Sequence, residues 1–264
     1  MLTCNEVWRI IADFRHLSRI WDQKYVFEDC GNDFQQPWLD RLAENPDEEI
    51  LTELKKLDKY LGIISACPGF QKLWPGLRAR DIEQFASTLA EVKTAAWITS
   101  YTGLAEIRPP LPGSTREGDF TLTIAGETIY GEVWQPRVLP SSWIVEGEIP
   151  IALTDQRTEE PKRIRTLRQK GDSQLPLSLT GIWVAHVYHA ILVRSWIDFF
   201  TKDMANRLNV LGVALWVRAG SNRLQPQCVS CRGLANEGHE IYWLDNTSCE
   251  NTYLQRKLLC SLID

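Results

Sequence analysis

The chain has 264 residues, 44% hydrophobic and 24% charged, with a formal net charge of -5. That length and composition fit one large globular domain, or one domain with a helical appendage, and exclude a disordered or low-complexity chain. The acidic balance argues against a surface devoted to gripping a nucleic-acid backbone, though a local basic segment is compatible with it.

In chain order, residues 5–21 carry Val7, Ile10, Ile11, Phe14, Leu17 and Trp21 at three- and four-residue spacing, which predicts one amphipathic helix. A loop with Gly31, Asn32 and Pro37 is expected next. Pro46-Asp47 opens a second helix with Ile50, Leu51, Leu54, Leu57, Leu61 and Ile64 on its face, and Cys67-Pro68-Gly69 stops it. Acidic residues at its start suit the positive helix end. A third helix is predicted over 81–100, with Phe85, Leu89, Val92 and Ala96 on one side and Glu91 at its border.

After Gly103 the pattern changes. A short strand is expected at 104–108, then a proline- and glycine-rich loop, PPLPGSTREG. Residues 119–124 and 128–134 alternate with period two around Ala125-Gly126-Glu127, which predicts a β-hairpin. A two-residue turn pairs Asp119 with Glu132 or with Trp134, depending on register. Either choice puts Asp119, Glu132 and Trp134 on one face.

Residues 157–170 read as a basic helix carrying Arg157, Lys162, Arg163, Arg165, Arg168 and Lys170. Strands are expected at 181–187, 211–217 and 240–244, and helices at 194–209 and 249–263. Residues 1–80 thus read as a helical N-terminal extension, and 81–264 as an α/β domain with a C-terminal helix.

The eleven tryptophans are expected in the core or at interfaces. Seven cysteines, an odd number scattered over a long chain, predict no disulfide framework. The start, MLTCNEVWRI, has no basic stretch followed by an apolar run, and no eighteen-residue uncharged apolar segment exists. The expected compartment is therefore the cytoplasm, with no membrane span.

The helix glutamate, the Gly-Asp opening a strand and the glutamate on the paired strand together resemble the PD-(D/E)XK, or restriction-endonuclease-like, superfamily. The matching residues are Glu91, Asp119 and Glu132, within GDFTLTIAGETIYGEVW and the helix before it. The resemblance spans about residues 81–218. It implies an α/β sandwich with a mixed central sheet flanked by helices, and a magnesium-dependent phosphodiesterase acting on nucleic acid. It further implies that Asp119 and Glu132 bind the metal and that Glu91 supports the metal or its water. Phosphodiester cleavage needs a hard cation on the phosphate and an oriented water, and magnesium takes oxygen ligands.

The family's lysine, two residues beyond the second carboxylate, is Trp134 here, and an indole carries no charge. Three readings stay open. Another cation, Lys170 or Lys162 of the basic segment, reaches the site, which Lys93 is poorly placed to do. Alternatively the domain is a non-catalytic binding or scaffold protein with a protein partner, or the pattern is a coincidence of α/β architecture. The segment 157–170 is the local feature able to meet nucleic-acid phosphates, and its bland reading is a solvated helix. The bland reading of the hairpin carboxylates is likewise a solvated face.

Cys228 and Cys231 have the spacing of half a zinc site, with His239 and Cys249 following, but the whole matches no zinc pattern, so ordinary thiols are expected. His186 and His189 would point to opposite faces of a strand, so a core histidine is expected at 186. There is no GxxxxGK[ST], GxGxxG or GxSxG motif.

Overall fold

A computed structural model describes residues 1–135, 175, 178–187, 200–201, 206–218, 231–236 and 239–263. The chain divides into two units, Met1–Ile107 and Arg108–Asp264.

Side-chain caps set most helix starts of the first unit. Thr3 and Glu6 form a capping box on α1 (Cys4–Ala12). Asp22 caps α3 (Gln23–Cys30), and Gln36 caps α4 (Pro37–Glu44), whose first position is a proline. Asp47 caps α5 (Glu48–Ile64), and Asp81 caps α7 (Ile82–Tyr101). Between them lie α2 (Leu17–Ile20), a 3-10 turn (Phe70–Leu73) and α6 (Trp74–Leu77). The short strand β1 (Leu104–Ile107) closes the unit.

Two expectations fail here. The single helix over 5–21 is broken after Ala12, because the Asp58 carboxylate of α5 accepts from the His16 and Leu17 amides at 2.7 and 2.8 Å. Those bonds start a new helix where periodicity saw continuity. The expected loop contains α3 and α4, which are too short and too weakly patterned to stand out, and which their caps define instead.

The core of this unit runs from Val7 and Ile11 through Trp21, Leu42, Leu54 and Leu61 to Phe85, Leu89 and Val92. Trp21 and Trp38 both meet the Phe85 ring, at 6.5 and 5.3 Å between centroids. Because α7 contributes Phe85, Leu89, Val92, Ala95 and Ala96 to this core, the unit ends at Ile107, whereas the sequence reading put a boundary at residue 80. The cysteine expectation also needs correction. Cys4 and Cys30 form a disulfide that ties the start of α1 to the end of α3 across a sequence separation of 26.

The second unit is a mixed sheet of six strands in the order β2-β3-β4-β5-β7-β6. The strands are β2 (Phe120–Ile124), β3 (Glu127–Trp134), β4 (Gly181–Val187), β5 (Val210–Arg218), β6 (Cys231–Asn236) and β7 (His239–Asp245). β2 runs antiparallel to β3; β3, β4 and β5 are parallel; β7 is antiparallel to both β5 and β6. Helix α8 (Thr252–Ile263) packs on β2 and β5 and buries Leu254, Leu258, Leu259 and Leu262.

The α/β class, the mixed sheet and the strands at 181–187, 211–217 and 240–244 agree with the sequence reading. The edge strand β6 was not foreseen, since CRGLAN has no clear alternation. Residues 206–209 form a turn and not the end of a helix. Most of the expected helix over 194–209, and all of the basic helix over 157–170, lie outside the described residues. Among the described residues, no helix is long and apolar enough to cross a membrane.

Candidate functional site

The hairpin turn decides the geometry. Ala125 and Gly126 both have positive φ, +52° and +86°, the pair of values that a two-residue turn matching the twist of its strands requires. This turn pairs Ile124 with Glu127 and Phe120 with Gly131. Extended by one residue, the same register sets Asp119 opposite Glu132, which selects one of the two pairings left open by the sequence. The Asp119 amide donates to the Gly131 carbonyl at 3.2 Å, and the Asp119 carboxylate accepts from the Val133 amide at 2.6 Å. The Asp119 side chain thus stands in for a backbone acceptor at the end of β2.

Gly131 is dictated by the opposite face, where a Cβ would fall inside the Phe120 ring. Glu132 is only 7% exposed, and Asp119 is half-buried. The solvated-face reading therefore fails for Glu132: a glutamate at that exposure is rare unless its charge is answered. The backbone at Gly118 runs beside it, and a Cβ there would stand 3.6 Å from Glu132 Oε1.

Trp134 shares the face of Asp119 and Glu132, as the alternation requires. It is half-buried, edge-on to Phe200 at 6.1 Å, and Phe200 also meets Trp183 at 6.2 Å. Trp183 is the direct partner of Glu132 in the parallel β3–β4 register. Above the Trp183 ring, 5.0 Å from its centroid, lies the Arg207 guanidinium, on a residue 5% exposed.

Arg207 sits in the turn before β5, and that turn is pinned. The Asn246 amide donates to the carbonyls of Arg207 and Val210 at 2.8 and 2.7 Å, and Asn209 donates to Leu179 at 2.6 Å. Neither Trp183 nor Arg207 stood out in the sequence. Their relation to Glu132 depends on which strand lies beside β3, which alternation within a strand does not report. The available signal was an arginine three residues before a buried strand.

Glu91 lies in the first unit, on α7, at 9% exposure; Lys93 of the same helix is 7% exposed. Lys170 and Lys162 fall outside the described residues. Among the described residues, no group of three or more His, Cys, Asp or Glu side chains is gathered as a metal site would need.

Cys228 and His189 also lie outside the described residues. In the β6–β7 hairpin, Cys231 pairs with Leu244 and His239 with Asn236. They therefore stand at opposite ends, roughly 17 Å apart at about 3.4 Å per residue, too far to share one ion. Cys249 is buried, and desolvation raises its thiol pKa above the ordinary value, which keeps it protonated. His186 is 2% exposed and stacks on Trp216, its partner on β5, at 4.8 Å.

Compared with family models, curated proteins and solved structures, the chain has no match.

Proposed function

We propose that the second unit is a nuclease-like domain of restriction-endonuclease type, a metal-dependent phosphodiesterase built on the Asp119–Glu132 pair. The observation that carries this reading is the burial of Glu132, 7% exposed, on the strand position opposite Asp119. Burying a carboxylate at the end of a hairpin costs desolvation, so its place there calls for groups that answer it. A mixed sheet, with β2 antiparallel and β4 parallel to β3, supports the reading, since the resemblance implies a mixed central sheet.

The donor chemistry fits magnesium. Hard carboxylate oxygens suit it, and one or two protein carboxylates with several waters are its usual set. Asp119 and Glu132 are the residues to hold it, and when bound it would supply Lewis-acid polarisation of a phosphate oxygen. In this reading Arg207, whose guanidinium lies over Trp183, the strand neighbour of Glu132, supplies a positive charge in place of the one Trp134 lacks.

The test is cleavage of supercoiled plasmid and of single-stranded DNA with magnesium or manganese. Activity is expected with either metal, and its loss is expected in Glu132→Ala and with chelator. No metal-dependent cleavage together with no magnesium binding by calorimetry overturns the reading.

One observation favours a second reading, a non-catalytic binding or assembly protein on the same sheet. Trp134 packs against Phe200, so the family's lysine position is part of an aromatic cluster. That reading expects a protein complex whose affinity survives Asp119→Ala.

A further inference from the structure

We infer that Trp183 and Arg207 form an oxyanion-binding position that takes a phosphate group, the indole N–H donating to one oxygen and the guanidinium to another. Trp183 is 7% exposed, and its Nε1 has no hydrogen-bond acceptor among the described residues. A buried donor left in that state carries its full desolvation penalty, and buried indole N–H groups ordinarily find an acceptor.

Arg207 supplies the second half. Its guanidinium stands over the Trp183 ring at 5.0 Å from the centroid, which puts a planar fork of donors next to the indole that carries the unsatisfied N–H. The Asn246 side-chain bonds to the Arg207 and Val210 carbonyls hold the backbone of this turn, and the contact over the Trp183 ring places the guanidinium. A flexible surface arginine would have to be ordered on binding; a buried, pinned one is already ordered.

The donor set alone specifies an oxyanion, since a guanidinium fork takes phosphate and carboxylate alike; its being a phosphate, and one belonging to a nucleic-acid strand, rests on the function proposed above.

The experiment is a 1H–15N spectrum of the indole N–H groups of the full chain, with Trp183→Phe used to assign the Trp183 signal. Inorganic phosphate and a short single-stranded oligonucleotide are titrated separately. The expected result is a saturable displacement of the Trp183 signal by both probes, weakened roughly tenfold or more in Arg207→Gln and less in Arg207→Lys. Trp183→Phe should weaken phosphate binding in calorimetry while keeping a cooperative melting transition. This variant keeps the test independent of any folding defect at 207.

No saturable displacement by either probe, or equal affinity in Arg207→Gln, overturns the proposal. A water held by the indole would give that flat response. Phosphate binding without cleavage of any nucleic acid leaves this site standing and removes the nuclease reading; cleavage with an unmoved Trp183 signal does the reverse.

Discussion

Glu132 and Trp183 are direct neighbours across the parallel β3–β4 pair, so a buried carboxylate and a buried indole share one face of the sheet. Around them stand Asp119 on one side and the Phe200 and Trp134 rings on the other. A pair of carboxyl side chains and an apolar cluster thus meet at the end of the hairpin, and the two functional readings differ in which of them is given weight.

Trp134→Lys separates those readings. The substitution removes the edge-on contact with Phe200, and the lysine stem recovers part of the packing, so a stability loss of about 1–3 kcal/mol is expected. If only the cation is missing from the centre, the variant gains metal-dependent cleavage in spite of that loss. Urea denaturation measures the first effect and plasmid nicking the second; a folded, inert Trp134→Lys protein counts against a latent site.

Asp58→Ala should destabilise the helical unit by roughly 1–3 kcal/mol, because the amides of His16 and Leu17 lose the carboxylate that accepts from both. Asp58→Asn keeps an acceptor and should cost less. Amide exchange at residues 16 and 17 is the local readout, and unchanged protection in Asp58→Ala would show that the cap is dispensable.

Opening the Cys4–Cys30 bond enlarges the unfolded ensemble. For a separation of 26, Cys4→Ser or reduction by a thiol should lower stability by about 3–4 kcal/mol on a chain-entropy account. Melting temperature with and without reductant checks this. The effect must vanish in Cys4→Ser, which has no bond to reduce.

Tyr25 gives a pH dependence. Burial first, and the nearby Asp29 charge second, raise its phenol pKa well above the ordinary value, while its hydroxyl donates to the Arg78 carbonyl at 2.8 Å. A phenol raised in the folded state contributes stability that is fully present below the unfolded pKa, about 10, and is lost as pH rises beyond it. Tyr25→Phe should therefore be less stable than the parent near neutrality, by about 1 kcal/mol for the hydrogen bond. That difference should shrink between pH 10 and 11.5 in denaturant titrations. A constant difference over that range would remove ionisation of Tyr25 from the account.

Local pattern determined much of this protein before any coordinates. The faces of α5 and α8, the alternation in β2 and β3, and the sharing of one face by Asp119, Glu132 and Trp134 follow from periods of 3.6 and 2, which are properties of the backbone alone. What crosses the chain was decided only in three dimensions. Asp58 divides a helix more than forty residues away, Cys4 meets Cys30, and the turn at Ala125-Gly126 selects one hairpin register of two. β4 settles beside β3 and brings Trp183 next to Glu132. The reason is physical: a period reports which side of an element is apolar, whereas burial of a charge and the identity of its neighbour depend on which elements pair, and that choice belongs to the whole chain.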